Sequence, residues 1–106
     1  MTPMKLQTPE QLQVLSQRLP HWQVDAESAT LTRQFVFDDF AQAFAFMAHM
    51  ALHSERLNHH PEWHNVYNRV QVRLTTHDAQ ALTSLDEAWA LAADAYCVTA
   101  HPTQQH

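Results

Sequence analysis

Nine histidines among 106 residues are the feature of this sequence most suited to chemistry, because imidazole is the side chain whose unperturbed pKa lies closest to neutrality. Three of them stand out in the stretch LNHHPEWHNVYNRVQVRLTTHD, residues 57–78. His59 and His60 precede Pro61, which disfavours helical geometry at His60, so any preceding helix ends here and the rings are displayed on extended backbone. Trp63 offers an aromatic wall nearby, and His77 closes an alternating segment further on. Two or three imidazoles beside such a wall suit a flat, polar heterocycle, with a proton added at one atom while another leaves elsewhere. From spacing alone, a metal site and a structural or surface histidine cluster stay open beside that catalytic reading.

The metal reading rests on His49 and His53 at helical i,i+4 spacing, followed by His59, His60 and His64. The motif HMALH has no Glu beside His49, so it is not the H-E-x-x-H of a zinc protease. The ordinary roles for these residues are a helix surface for His49 and His53 and a wet strand edge for His64. Glu55, on the turn leading into the histidine pair, reads as surface charge or as an acceptor that orients an imidazole or a ligand. Asp86 reads as a charge at a helix N-terminus. The lone Cys97 cannot form an internal disulfide and reads as packing.

Composition removes several function classes. Without glycine there is no phosphate-cradling loop and no Gly-x-Ser-x-Gly nucleophile elbow. A net charge of −5 with six Lys and Arg argues against nucleic acid as a partner. No stretch is apolar and long enough to span a bilayer, and residues 1–13 lack an apolar core of the signal-peptide kind, so a cytoplasmic address and no membrane partner are expected. Hydrophobic content of 45% and charged content of 16% fit an ordinary globular chain, expected to form one domain over 1–106 with its core at about 8–98. His101 and His106 sit in a polar tail as spectators.

The positioning elements follow from periodicity and caps. Thr8, Pro9 and Gln11 form a capping-box start, and Leu12, Leu15 and Leu19 give a stripe, so a helix is expected over 9–18, ended by Pro20. Strands follow at 22–25 and 30–37, with a turn around Glu27 and Ser28. Asp38 or Asp39 caps a long helix to about Leu57. Its core stripe is read as Phe40, Phe44, Met47 and Ala51, widened by Phe46 and Met50. A last helix over about 84–97 starts at Thr83 and Asp86 and turns Leu85, Trp89 and Ala92 to one face. Without glycine, left-handed positions fall to residues such as Asn58, Asn65 and Asn68.

Residues 66–75 alternate in hydrophobicity with the period of a half-buried strand. Were 62–75 one straight strand, His60 and His77 would lie more than about 40 Å apart and could share nothing. A hairpin folded at Asn68, pairing Glu62–Val66 with Val70–Leu74, brings the His-His-Pro segment and His77 side by side. The order α-β-β-α-β-β-α belongs to the α+β class.

These residues resemble the pterin-4a-carbinolamine dehydratases. The shared pattern is a charged residue, three spacers, His-His-Pro, five or six spacers, an aromatic, nine spacers, His, and then Asp after a further interval. Glu55, His59-His60-Pro61, Tyr67, His77 and Asp86 fill it. The similarity runs from Trp22 to the segment LDEAWALAADA, with only the tails outside it. It implies a four-stranded antiparallel sheet with three helices on one face. It also implies loss of water from a 4a-hydroxytetrahydropterin, the product of aromatic amino acid hydroxylases, to give the quinonoid dihydropterin, with no cofactor or metal. By resemblance, His59 and His77 form the acid/base pair and His60 binds and orients the pterin. Pro61, Thr76, Asp78 and Ala79 surround the ligand, and Glu55, Trp63 and Asp86 support the site. A homodimer or homotetramer is implied as well. The chain departs from familiar members at His64, where Phe commonly follows the Trp. A non-catalytic pterin-binding or regulatory protein on the same fold, or a His-rich metal-binding module, are the competing readings.

Overall fold

The computed structural model describes residues 3–100. A two-residue strand β1 (Lys5–Leu6) leads into α1 (Pro9–Arg18). Thr8 Oγ1 accepts from the Gln11 backbone N–H at 3.1 Å and Gln11 Oε1 accepts from the Thr8 N–H at 3.1 Å, the reciprocal bonds of the expected capping box. Strands β2 (Gln23–Asp25) and β3 (Thr30–Val36) form a hairpin, followed by α2 (Phe40–Leu57), whose N-cap Asp39 accepts from Gln42 N–H at 2.8 Å. Then come β4 (Glu62–Val66), β5 (Arg69–Leu74), a 3-10 turn at His77–Ala79, β6 (Leu82–Thr83) and α3 (Ser84–Ala100).

Four strands make one antiparallel sheet in the order β2-β3-β5-β4, and β1 pairs with β6 in a separate ribbon that sequence patterning does not anticipate. Alternation decides the faces. Leu31 and Phe35 of β3 and Val70, Val72 and Leu74 of β5 are buried beneath the helices, against Leu15, Phe46, Met50 and Trp89. Gln34, Gln71 and Arg73 point the other way and are exposed. Each large apolar side chain buried in this core contributes about 1.5–3 kcal/mol. Among the described residues the indole N–H groups of Trp22 and Trp89 are satisfied, by Asp94 Oδ1 at 2.8 Å and Ser54 Oγ at 2.9 Å.

Two expectations about faces are corrected. The buried stripe of α2 is Ala43, Phe46, Met50 and Ser54, while Phe40 and Phe44 are 49% and 57% exposed and Ala51 is exposed too. Both stripes repeat at helical spacing and both are apolar, so periodicity cannot choose between them; the inner one wins because it stacks Phe46 on Phe35 and Phe37. In α3 the buried face is Asp86, Trp89, Ala90, Ala93 and Cys97, with Leu85 and Ala92 only half-buried.

The β4–β5 hairpin forms with its register one residue from the expectation. Glu62 pairs with Arg73 and Val66 with Arg69, so Tyr67 and Asn68 make a two-residue turn and Glu62–Val66 faces Arg69–Arg73. Tyr67, not Asn68, takes the left-handed conformation, with φ 50°. Side chains compensate for the missing glycine: Asn65 Nδ2 donates to the carbonyls of Tyr67 and Arg69, and Asn68 Nδ2 donates to Phe37 O at 2.8 Å. Of the three asparagines expected at left-handed positions only Asn58 is there, joined by Ala29, Tyr67 and Gln80. Asp25 holds the β2–β3 turn by accepting from Ser28 and Glu27 N–H, which lowers its carboxyl below the usual range.

Cys97 is buried, and burial pushes its thiol up to about 11. It therefore stays protonated near neutral pH, as its packing role requires. The expected result is no reaction with a thiol-specific disulfide reagent in the folded protein and one equivalent after denaturation, read by absorbance. None of the helices among the described residues is long and apolar enough to cross a membrane.

Candidate active site

The end of α2 sets the first half of the site. Asn58 closes the helix in the left-handed region, at φ 50° and ψ 45°, and the His59 N–H donates to Ser54 O at 3.0 Å. That turn, followed by Pro61, sends the two histidines in different directions. His59 turns inward and is 8% exposed, with Nε2 2.6 Å from Asp86 Oδ1. His60 stays at the surface, where its Nε2 lies 2.6 Å from Glu55 Oε2.

Asp86, in the first turn of α3, is 0% exposed and is the hub of the site. Its Oδ2 accepts from Thr76 Oγ1 at 2.8 Å and from the Thr83 backbone N–H at 2.9 Å, while Oδ1 faces His59. Both other contacts are donors, so the network places a proton on His59 Nε2 and leaves Nδ1 as the lone-pair nitrogen of the neutral ring. The Thr76 hydroxyl proton being committed to Asp86, Thr83 donates to Thr76 Oγ1 at 2.7 Å and in turn accepts from Leu85 N–H at 3.2 Å. One carboxylate thus ties the end of α2 to the segment that carries His77. Its expected role as an N-terminal helix charge is real but secondary, since three side-chain and backbone donors converge on it.

The second tie runs through Glu62, the first residue of β4. Its Oε2 lies 3.2 Å from His77 Nε2 and accepts from Arg73 NH1 at 3.0 Å, across the directly opposed pair Glu62 and Arg73. His77 opens the 3-10 turn, with its side chain 75% exposed. Asp78 is exposed and Ala79 half-buried in the same turn, which closes through Ala79 N–H to Thr76 O at 3.1 Å. Trp63 points to the helix side of β4 and meets Trp89 edge-on, with ring centres 6.1 Å apart. A hollow of about 270 Å³ lined by Thr32, Glu62, Trp63, His64, Gln71 and Arg73 adjoins Glu62.

The ten residues singled out by sequence therefore lie on three adjoining segments: Glu55 to Trp63, Thr76 to Ala79, and Asp86. Tyr67 does not join them, since it sits at the tip of the hairpin, five strand residues or about 16 Å beyond Glu62. The five-histidine metal module is not assembled either. His49 and His53 lie on α2, His49 against Tyr96, His64 is exposed on β4, and His59 and His60 face their own carboxylates. Among the described residues no three His, Cys, Asp or Glu side chains are grouped to hold a metal. Glu62 and Arg73 are the site residues that sequence reasoning missed. Their opposite charges at facing hairpin positions were the available signal, and would have fixed the register as well.

A family model described as Pterin 4 alpha carbinolamine dehydratase matches residues 4–96. The chain belongs to the pterin-4-alpha-carbinolamine dehydratase family. It is 52% identical over 85 residues to a provisionally named pterin-4-alpha-carbinolamine dehydratase of Synechococcus sp., covering 80% of this chain and 89% of that one. A similarly named protein of Burkholderia multivorans is 44% identical over 95 residues, covering 90% and 93%. Among solved structures, the transcriptional coactivator/pterin dehydratase from Brucella melitensis is 43% identical with a TM-score of 0.80, over 83% of this chain and 94% of that chain. A pterin dehydratase-like protein identified as a RuBisCO assembly factor in the alpha-carboxysome is 27% identical, with a TM-score of 0.61 over 70% of this chain and 86% of that one. The names of these two solved structures give roles other than dehydration as well.

Proposed function

We propose that this chain removes water from 4a-hydroxytetrahydropterin to give quinonoid dihydropterin, by histidine general acid/base catalysis. In the reaction the bond from the 4a carbon to the hydroxyl oxygen breaks, the departing hydroxyl takes a proton and leaves as water, and the adjacent ring nitrogen gives up a proton. His59 and His77 carry out the two transfers, and His60 binds and orients the ring. The supporting observation is the Asp86 carboxylate, which holds His59 and the residue before His77 at once. Pro61, Thr76, Asp78 and Ala79 bound the ligand. Glu55 and Glu62 hold the exposed imidazoles, and Trp63 supplies an apolar wall.

Such an activity would recycle the tetrahydropterin of aromatic amino acid hydroxylases. The deciding experiment generates the carbinolamine enzymatically and follows its decay with and without this protein; acceleration at catalytic protein concentrations supports the reading, and decay at the buffer rate refutes it. One observation favours a non-catalytic role, namely that the RuBisCO assembly factor uses a related fold. The same assay separates the two.

Self-association belongs to this reading too. Phe40 and Phe44 stack side by side on the outer face of α2, ring centres 5.8 Å apart, and lie roughly half exposed. An apolar ridge of this kind fits a contact between subunits. Phe44→Glu is expected to lower the mass measured by sedimentation to that of a smaller assembly, while the far-UV spectrum stays unchanged.

A further inference from the structure

We infer that His49 and His53 form a two-imidazole site for a divalent transition-metal ion, with Cu²⁺ as its tightest occupant. The two residues are one helical turn apart on α2, so the backbone already holds both rings on one face. Their centres are 5.0 Å apart with planes inclined at 55°. Metal–nitrogen bonds of about 2.0–2.1 Å place an ion about 3.2 Å from each ring centre, so centres 5.0 Å apart subtend about 100° at it. That angle suits two adjacent positions of either a square-planar or a tetrahedral ion.

Two further features favour occupancy. Tyr96 of α3 packs on His49 with ring centres 4.6 Å apart, which restricts the ring before any ligand arrives. His53 beside it is half-buried on the same face of α2, so its ring too is partly held in place. The positive charge of Arg56 on the next turn opposes any ion held by charge alone, and no carboxylate joins the pair in a metal-binding group among the described residues. Hard oxygen-seeking cations are therefore disfavoured, and imidazole preference places Cu²⁺ ahead of Ni²⁺ and Zn²⁺. The remaining coordination positions are open to water or a small donor.

The site is separate from the candidate active site, whose His59 and His60 face Asp86 and Glu55. It is also separate from the apolar ridge: nine residues, or two and a half turns, put His53 on the opposite side of α2 from Phe44. A subunit contact through the ridge leaves the histidines accessible.

The test uses the untagged full chain and Cu²⁺, because the other histidines must compete in the same sample. Substoichiometric Cu²⁺ is expected to broaden first the NMR amide signals of α2 around His49 to His53 and of the α3 turn around Tyr96. In calorimetry, His49→Gln or His53→Gln is expected to weaken the tightest Cu²⁺ binding by about tenfold or more, because each removes half of a chelate. Circular dichroism confirms that both variants fold, and neither residue touches the proposed dehydratase machinery, so carbinolamine decay proceeds at the parental rate. Broadening centred on His59, His60, His77 or the chain ends, or parental affinity in both variants, would overturn the inference.

Discussion

His59→Ala and His77→Ala are each expected to slow carbinolamine dehydration by about 10²–10⁴-fold, the range that a positioned acid or base contributes. The His77 variant is the cleaner of the two. Its ring is largely exposed and lies 3.2 Å from the Glu62 carboxylate, so its removal leaves the core intact and stability is expected to stay within about 0.5 kcal/mol of the parent. A lost rate with an unchanged melting curve then reports on proton transfer and not on folding. Glu62→Gln keeps an oxygen that can accept from His77 but removes the charge, so a smaller loss is expected than from deleting the ring itself. The double variant His59→Ala/His77→Ala is expected to lose less than the product of the single losses, because two groups serving one elimination act as a unit. The measurement is the decay of enzymatically generated carbinolamine, with the buffer rate as the floor. Parental rates in both single variants would remove the basis for histidine acid/base catalysis on this fold.

How much of this was legible beforehand depended on whether a residue's role was local. The Thr8 capping box, a cap at Asp38 or Asp39 and the end of α2 at about Leu57 are decided within a few neighbours, and the structure has all three, with Asp39 as the cap. The α+β class and strands β2, β3 and β5 also follow from the pattern of the sequence, whereas β4 rested on the hairpin that joins the histidines and on the family resemblance. What failed needed a partner far along the chain. Phe44 and Phe46 are equally apolar, and only β3 and α3, supplying Phe35 and Tyr96 to Phe46, decide which one is buried. The hairpin register was read from Asn68 as a turn former, when Asn65 and the facing charges of Glu62 and Arg73 define it. In the candidate site, the histidines were visible as a pattern but their different surroundings were not. Nothing local distinguishes His59, turned onto a buried acid, from His60, turned onto a surface one. Asp86 looked like an ordinary first-turn charge because the donors that converge on it come from positions 59, 76 and 83.

Asp86 is consequently the residue whose loss should show how tightly stability and activity are coupled. Asp86→Ala strands three groups inside the protein: the His59 ring N–H, the Thr76 hydroxyl and the Thr83 N–H. At about 1–3 kcal/mol for each buried donor left without an acceptor, with part recovered by local relaxation, a cost of about 3–5 kcal/mol is expected. Folded proteins retain only about 5–15 kcal/mol, and for a chain of this size each kcal/mol moves the melting temperature by about 4–8 °C. A fall of about 12–40 °C follows, and calorimetry measures it. Asp86→Asn separates the two effects. It keeps the shape and one carbonyl oxygen but turns an amide toward a donor, so the destabilisation should be smaller while His59 loses its orienting acceptor. A folded Asp86→Asn protein that dehydrates the carbinolamine at least tenfold more slowly than the parent would assign Asp86 to positioning His59. Rescue of the parental rate in that variant, despite a lowered melting temperature, would confine Asp86 to holding α3 against the His77 segment.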